Sequence, residues 1–182
     1  MLNTSECATG VDMACNTLYA YGEHLRSAAM SALDGCFPSG SCRDSIRSYL
    51  SMGAGDDGVP DSLIVVVGPM LPTQGSGLVG PTIMQVQFDI RLRESGYPMA
   101  QAVDGGRAIA LPDPDGQHRA TQQSLFHAGA IMARLLSMKS TGCLAPDGYR
   151  CTRGTISAVQ PLPPQAGVTG WTISLTLQLP WA

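Results

Sequence analysis

Residues 171–181 read Trp-Thr-Ile-Ser-Leu-Thr-Leu-Gln-Leu-Pro-Trp, an unbroken alternation of apolar and polar residues. Because successive side chains of a β-strand point to opposite faces, this stretch predicts a strand with one apolar and one polar face. Such a strand is typical of a half-buried, mostly antiparallel sheet. The stretch therefore predicts a sheet whose second face is polar.

Three further segments carry strand patterns. Residues 63–67 are continuously apolar, residues 84–93 alternate over a long run, and residues 155–159 are predicted to form a short strand. Pro161, Pro163 and Pro164 then predict a connection to the final strand. Between the first two segments, residues 75–80 match the letters of the dinucleotide fingerprint G-x-G-x-x-G. That fingerprint needs a helix directly after it, whereas Pro81 and a strand pattern follow here. We therefore predict a hairpin connection and no nucleotide site.

Two segments carry the three- and four-residue spacing of amphipathic helices, residues 12–34 and residues 119–139. The predicted apolar stripe of the first helix consists of Ala14, Leu18, Tyr21, Leu25, Ala28 and Ala32. That of the second consists of Thr121, Leu125, Ala128, Ile131, Met132, Leu135 and Met138, and Gly142 is predicted to end this helix. A shorter helical piece is predicted over residues 43–50. Together the elements predict an α+β fold: a two-layer sandwich in which two helices cover one face of a mostly antiparallel four-stranded sheet. The 182-residue length predicts a single domain over residues 1–182.

Residues 94–118 are rich in proline and glycine and predict an irregular arm. Segments of this length without regular structure are usually functional or disordered, and this one is too apolar for a free linker. We therefore predict that the arm packs on a neighbouring subunit. The candidate interface residues are Tyr97, Met99, Val103, Arg107, Ile109 and Leu111.

Charged residues make up only 14% of the chain, against roughly 25% in typical soluble domains. A surface of such low charge favours association with other subunits. The net charge of −3 provides no basic surface for nucleic-acid binding. Residues 1–10 lack the features of a secretory signal, and no apolar run is long enough to predict a membrane span.

The six cysteines have three alternative states: disulfide-bonded, reduced or bound to a metal. Cys36 and Cys42 flank one short loop, and Cys143 and Cys151 flank another, so each pair is a candidate loop disulfide. Reduced thiols are the alternative that synthesis in the cytosol favours. A metal site is the third alternative, although neither spacing matches a zinc knuckle.

No catalytic motif stands out. No serine or cysteine has the pattern of a nucleophile with a histidine base, and the acidic pairs Asp56/Asp57 and Asp113/Asp115 lie in turn-forming segments. His127 lies near the apolar stripe of the second helix, where a packed histidine is the usual case. The sequence therefore predicts no enzyme, no cofactor and no metal site.

Three local features resemble one family in their order along the chain. They are residues 47–53 followed by Pro60-Asp61 and the apolar strand, the long strand ending in Asp89-Ile-Arg-Leu-Arg93, and the closing Gly170-Trp171-Thr-Ile-Ser-Leu-Thr-Leu. In this order they resemble the tail terminator and neck proteins of long-tailed bacteriophages, particularly those of actinobacterial hosts. The resemblance covers most of the chain from about residue 11 onward.

The resemblance implies an α+β sandwich that forms a six-membered ring at the head-proximal end of the tail tube. The ring would stop tube polymerisation and offer a docking surface to the head-completion (stopper) protein, while DNA passes through its lumen without specific binding. It implies a place in the virion neck after assembly in the host cytoplasm. The alternatives are another neck component, such as a head-closure or tail-completion protein, and a small enzyme or ligand-binding module.

Overall fold

The computed structural model describes residues 4–37, 46–52, 59–73, 82–104, 107–151, 153–165 and 167–181. In chain order its elements are α1 (Thr4–Asp34), β1 (Arg47–Met52), β2 (Ser62–Pro72), β3 (Thr82–Ser95), β4 (Met99–Asp104), β5 (Arg107–Pro112), α2 (Pro114–Thr141), β6 (Arg153–Gln165) and β7 (Val168–Trp181).

The predicted α+β class is confirmed, but the sheet differs from the prediction. Five strands form a mixed sheet in the order β1-β2-β3-β7-β6, and β4 and β5 form a separate two-stranded sheet. The additional strand of the main sheet is β1, which runs parallel to β2, while the other neighbours are antiparallel. The predicted main sheet of four mostly antiparallel strands is therefore one strand short.

The helical piece predicted over residues 43–50 is wrong for residues 47–50, which belong to β1, and residues 43–45 lie outside the described part of the chain. Leu50 packs toward α1, where a Cβ on Gly22 would meet the Leu50 side chain. The ladder with β2 and this contact outweigh the weak local helix preference of the segment.

The centre of the sheet is a continuous ladder of β3 and β7 that runs from Thr82↔Trp181 to Ser95↔Val168. Alternate residues of both strands are buried in the core, as the two-residue period predicts: Val86, Phe88, Ile90, Leu92, Ile173, Leu175, Leu177 and Leu179. β2 and β3 are antiparallel neighbours, which confirms that the glycine-rich segment joins two neighbouring strands. Residues 75–80 themselves lie outside the described residues.

Both helices pack on the face of the sheet that carries these buried residues. α1 contacts β1 and β2, α2 contacts β7, and the two helices contact each other. On α1 the predicted apolar stripe is confirmed at Leu18, Tyr21, Leu25 and Ala28. The helix begins earlier than predicted, at Thr4, and ends at Asp34 as expected.

The irregular arm predicted over residues 94–118 is wrong as a description of the backbone. β3 continues to Ser95, β4 and β5 form a hairpin, and α2 already begins at Pro114. The Asp113 side chain caps α2 by accepting a hydrogen bond from the Gly116 N–H, and proline is favoured at the first helical position. Gly142 ends α2 in the left-handed conformation, as predicted.

β6 is also longer than predicted, because it includes Pro161, Pro163 and Pro164, which we expected in a connection. β6 is an edge strand of the main sheet. Proline is tolerated there because an edge strand can leave a backbone N–H position facing solvent.

Candidate assembly surface

The segment predicted to form the interface is a β-hairpin. β4 pairs with β5 from Met99↔Pro112 at its base to Asp104↔Arg107 at its end. The hairpin carries five of the six predicted interface residues, but its register divides them between two faces. Met99 and Val103 of β4 lie on one face, and Arg107, Ile109 and Leu111 of β5 lie on the other. Tyr97 lies just before the hairpin and is half-buried.

The base of the hairpin is held on two sides. The Tyr97 N–H donates to the Gly167 carbonyl at 2.9 Å, and the Gln117 side chain donates to the Pro98 carbonyl at 3.4 Å. Gly116 sits so close to Pro98 that an added Cβ would lie 2.6 Å from its ring. Beyond this base, and within the described elements, β4 and β5 pack extensively only against each other.

A buried histidine–glutamate pair lies beside this base. Nδ1 of His127 on α2 forms a hydrogen bond with Oε1 of Glu94, near the end of β3. His127 is 2% exposed, and its ring centroid lies 4.7 Å from that of Phe37. A catalytic base must come within hydrogen-bond reach of its substrate, which this burial opposes. The hydrogen bond between the two side chains therefore links α2 to β3.

The surroundings of the pair contain two further buried oxygens. Within the described residues, Oε2 of Glu94 and Oγ of Ser124 have no hydrogen-bond partner. Ser124 and His127 both lie on the side of α2 that faces the core. A buried group without a partner costs free energy unless water satisfies it, so these two oxygens make the junction a costly site within the core.

The cysteines that the structure describes are free thiols: Cys36, Cys143 and Cys151. The Cys143 thiol donates to the Thr141 carbonyl and the Cys151 thiol to the Arg153 carbonyl, so the candidate loop disulfide between them is not formed. Cys42, the predicted partner of Cys36, lies outside the described residues.

Alkylation should distinguish the three thiols. Burial raises the pKa of Cys36, with a further contribution from the Glu94 charge, and burial also raises the pKa of Cys151. A raised pKa lowers the fraction of reactive thiolate at neutral pH, whereas Cys143 is exposed. We expect iodoacetamide to modify Cys143 first, as measured by peptide mass spectrometry over time. Equal rates at all three sites would contradict this expectation.

Over β3 and β7 the sheet face away from the helices is polar, whereas β2 places the buried residues Ile64 and Val66 on the same face. Gln87, Asp89, Arg91 and Ser174 contribute to the lining of a hollow of about 480 Å³ on this face. The Asp89 carboxylate accepts hydrogen bonds from Gln87 and Ser174 at 2.9 and 2.7 Å, and it lies 3.9 Å from the Arg91 guanidinium. Because these contacts engage the carboxylate, Asp89 is better suited to ordering the face than to acid–base chemistry.

The apolar stripe predicted for α2 is partly wrong. Ala128, Ile131, Leu135 and Met138 are buried as predicted, but Leu125 is 53% exposed. Ser124 and His127 take the place expected for Leu125 on the core side. Phe126 and Leu136 are also exposed, at 63% and 47%. α2 therefore carries large apolar side chains on the side away from the core.

Gly129 lies among these exposed residues, and the described part of the chain gives no reason for a glycine. A Cβ added there would meet no described atom within 4 Å beyond its own stretch of helix. Because glycine costs about 0.8–1 kcal/mol relative to alanine inside a helix, we expect Gly129→Ala to raise the free energy of unfolding of the monomer by about that amount. Urea denaturation at low protein concentration measures it. Unchanged or reduced stability would show that the glycine is needed within the monomer.

Within the ranges given above, no group of three or more His, Cys, Asp or Glu residues is arranged to hold a metal ion. No described helix has the length and apolar character required to cross a membrane. The Asp56/Asp57 pair lies outside the described residues, and Asp113 is the N-cap of α2.

No protein-family model matches the chain, and a search of curated proteins finds no match. Sequence reasoning missed Glu94, Ser124 and the outward position of Leu125. An available signal was the polarity of Ser124 and His127, since two polar residues three positions apart share one side of a helix. The hairpin also had a signal, because two short apolar segments flank Gly105-Gly106.

Proposed function

We propose that this chain is a structural virion protein that forms a ring at the head-proximal end of a phage tail tube. The ring ends tube polymerisation and joins the tail to the head connector. Its partners are further copies of itself in a six-membered ring, the tail tube protein and the head-completion (stopper) protein. DNA passes through the lumen without specific binding, and the chain has no catalytic role. It acts in the virion neck after assembly in the host cytoplasm.

The β4–β5 hairpin is the observation that carries this proposal. An isolated two-stranded hairpin is only marginally stable in water. This one contains Met99, Val103, Ile109 and Leu111, yet among the described elements its strands pack extensively only against each other. A partner outside the chain is the natural source of the missing contacts, and a neighbouring copy in a ring supplies one at every position.

The rest of the molecule suits a building block of a ring. In this proposal the main sheet and the two helices form a two-layer body, and the hairpin extends from it. The polar sheet face, whose Asp89 is engaged by Gln87 and Ser174, is a surface that water can cover. The net charge of −3 also provides little attraction for DNA passing through a lumen.

Native mass spectrometry over a concentration series, with and without reductant, tests ring formation. We expect a discrete closed oligomer of six copies. A variant in which a short Gly-Ser linker replaces residues 99–112 should remain a folded monomer, because the hairpin makes few contacts with its own body. If this variant still forms the same oligomer, the hairpin is not the ring contact.

Tube capping is tested with polymerising tail tube protein. We expect the full chain, added in small amounts, to bind tube ends and stop elongation, as seen by electron microscopy. Capped tubes should then bind the head-completion protein. Tubes that elongate at an unchanged rate and show no bound protein at their ends would refute the proposed function.

A further inference from the structure

Two hollows lie side by side on the outer surface of β3, β7 and β6, on the side turned away from the helices, and together we call them the arginine face. The larger hollow, of about 480 Å³, is lined in part by Arg91 and Arg93. The smaller hollow, of about 270 Å³, is lined in part by Arg153 and Thr176. Gln87 of the larger hollow pairs with Thr176 of the smaller one in the ladder of β3 and β7, so the two hollows are neighbours.

The lining of the arginine face is almost entirely polar. All of its described residues except Ala158 and Leu162 are arginine, glutamine, serine, threonine or a single aspartate, Asp89. Arginine, glutamine, serine and threonine are among the side chains that donate hydrogen bonds to the phosphate oxygens of DNA. Aromatic side chains, on which bases stack, do not line either hollow in the described structure. The surface is therefore suited to a phosphate backbone and not to the reading of bases.

The arginine face is cationic, although the chain as a whole is acidic. Three arginines and one aspartate line the two hollows, a formal charge of +2, whereas the chain has a net charge of −3. The Asp89 carboxylate already accepts hydrogen bonds from Gln87 and Ser174, and it lies 3.9 Å from the Arg91 guanidinium. Arginine has five N–H donors, so this contact leaves Arg91 with donors for a further acceptor. The net charge of the whole chain does not reveal such a surface, because it says nothing about where the charges lie.

We propose that the arginine face binds the phosphate backbone of double-stranded DNA without sequence preference. The inference deepens the proposed function and rests on it, because it orients this face of each subunit toward the DNA that passes through the lumen. An acidic protein surface is the alternative polyanion. The centre of a protein interface usually contains aromatic and other apolar side chains, and the described lining supplies only Ala158 and Leu162 for that purpose. The chemistry of the lining therefore favours DNA.

The arginine face has the length and the rigid support that contact with a duplex requires. Along β3 it extends from Gln85 to Arg93, roughly 27 Å at about 3.4 Å per residue. DNA rises about 3.4 Å for each base pair, so this length corresponds to roughly eight base pairs. Arg91 and Arg93 project from the same side of β3, because they are two residues apart. Since β3 lies between β2 and β7, its backbone is held on both sides.

Contacts of this kind predict weak binding that salt suppresses. Each phosphate contact adds about −0.9 to the slope of log K against log salt concentration, so three arginines predict a slope of about −3. Contacts to phosphate carry no sequence information, and they allow a protein and DNA to slide past each other. Binding by the arginine face is therefore compatible with the passage of DNA through a lumen without specific binding.

Fluorescence anisotropy of a short labelled duplex tests the inference with the full chain, between about 50 and 200 mM salt. We expect equal affinity for duplexes of unrelated sequence. A variant that combines Arg91→Gln, Arg93→Gln and Arg153→Gln should bind about tenfold more weakly or worse at low salt, and its binding should lose most of the salt dependence. Circular dichroism checks that the variant is folded.

The matched control removes the same charge from another part of the molecule. It combines Arg119→Gln, Arg134→Gln and Lys139→Gln, all at exposed positions of α2, and should bind DNA like the unchanged chain. Two single changes keep the test decisive if the first variant does not fold. Arg153→Gln, exposed on the edge strand β6, should reduce the magnitude of the salt slope by about 1. Gln160→Lys, in the larger hollow, should increase it by about 1.

Three outcomes would overturn the inference. They are an unchanged chain that does not bind the duplex at the lowest salt, an equal loss of binding in the α2 control, and displacement of the duplex by polyglutamate at equal charge, which would assign the face to acidic polypeptides. Tube capping, measured separately with the same preparations, decides the proposed function. A chain that caps tubes without binding DNA overturns only this inference, whereas a chain that binds DNA without capping tubes refutes the proposed function and leaves the DNA contact standing.

Discussion

Phe88→Ala should lower the free energy of unfolding by about 4 kcal/mol, because the substitution leaves a cavity at the centre of the core. Phe88 is fully buried on β3, where it pairs with Val67 on one side and Leu175 on the other. Domains of this kind are stable by only about 5–15 kcal/mol, so the variant would lose a large share of its stability. Urea denaturation monitored by circular dichroism gives the change.

Phe126→Ala is the matched control, since it removes the same side chain from an exposed position. Measured where the chain is monomeric, it should change stability by less than about 0.5 kcal/mol. Similar losses in the two variants would contradict the assignment of Phe88 to the core and Phe126 to the surface.

Gly170→Ala should destabilise the chain by about 3 kcal/mol, because overpacking against backbone cannot be relieved by a change of rotamer. A Cβ at residue 170 would collide with the Leu92 carbonyl oxygen and would lie 3.2 Å from Cα of Arg93. Gly170 pairs directly with Arg93 in the ladder of β3 and β7, so the strands would have to separate locally.

Thermal unfolding measures this effect as a decrease of roughly 6–12 °C in melting temperature, at 2–4 °C for each kcal/mol. Gly129→Ala is the natural comparison, since the same methyl group enters open space there. A Gly170→Ala variant as stable as the unchanged chain would show that β3 and β7 do not approach each other this closely.

The parts of the fold that sequence reasoning predicted are those in which one residue pattern decides the structure. β3 and β7 alternate strictly, and the two-residue period assigns each residue to a face without knowledge of its partner. The apolar run in β2 and the stripe of α1 from Leu18 to Ala28 are equally self-contained. These elements were placed correctly, with errors mainly at their ends.

The parts that sequence reasoning missed depend on partners distant in the chain. β1 is a short edge strand whose parallel ladder with β2 cannot be inferred from its own six residues. The outward position of Leu125 depends on Glu94, which pairs with His127 and turns a polar side of α2 toward the core. The hairpin residues were predicted as a contact surface, but the flanking prolines led to the prediction of an irregular segment, and the hairpin signal of Gly105-Gly106 was missed.

The long ladder of β3 and β7 also has a consequence for the speed of folding. Its register joins Thr82 to Trp181 and Ser95 to Val168, and β4, β5, α2 and β6 all lie between these strands in the chain. Pairing segments so distant in sequence loses much chain entropy before the native contacts form. We therefore expect this chain to fold more slowly than a helical bundle, whose contacts are mostly local. Until residues 168–181 have been synthesised, the apolar side of β3 lacks its main partner. A nascent chain is therefore most exposed to aggregation during synthesis of its second half.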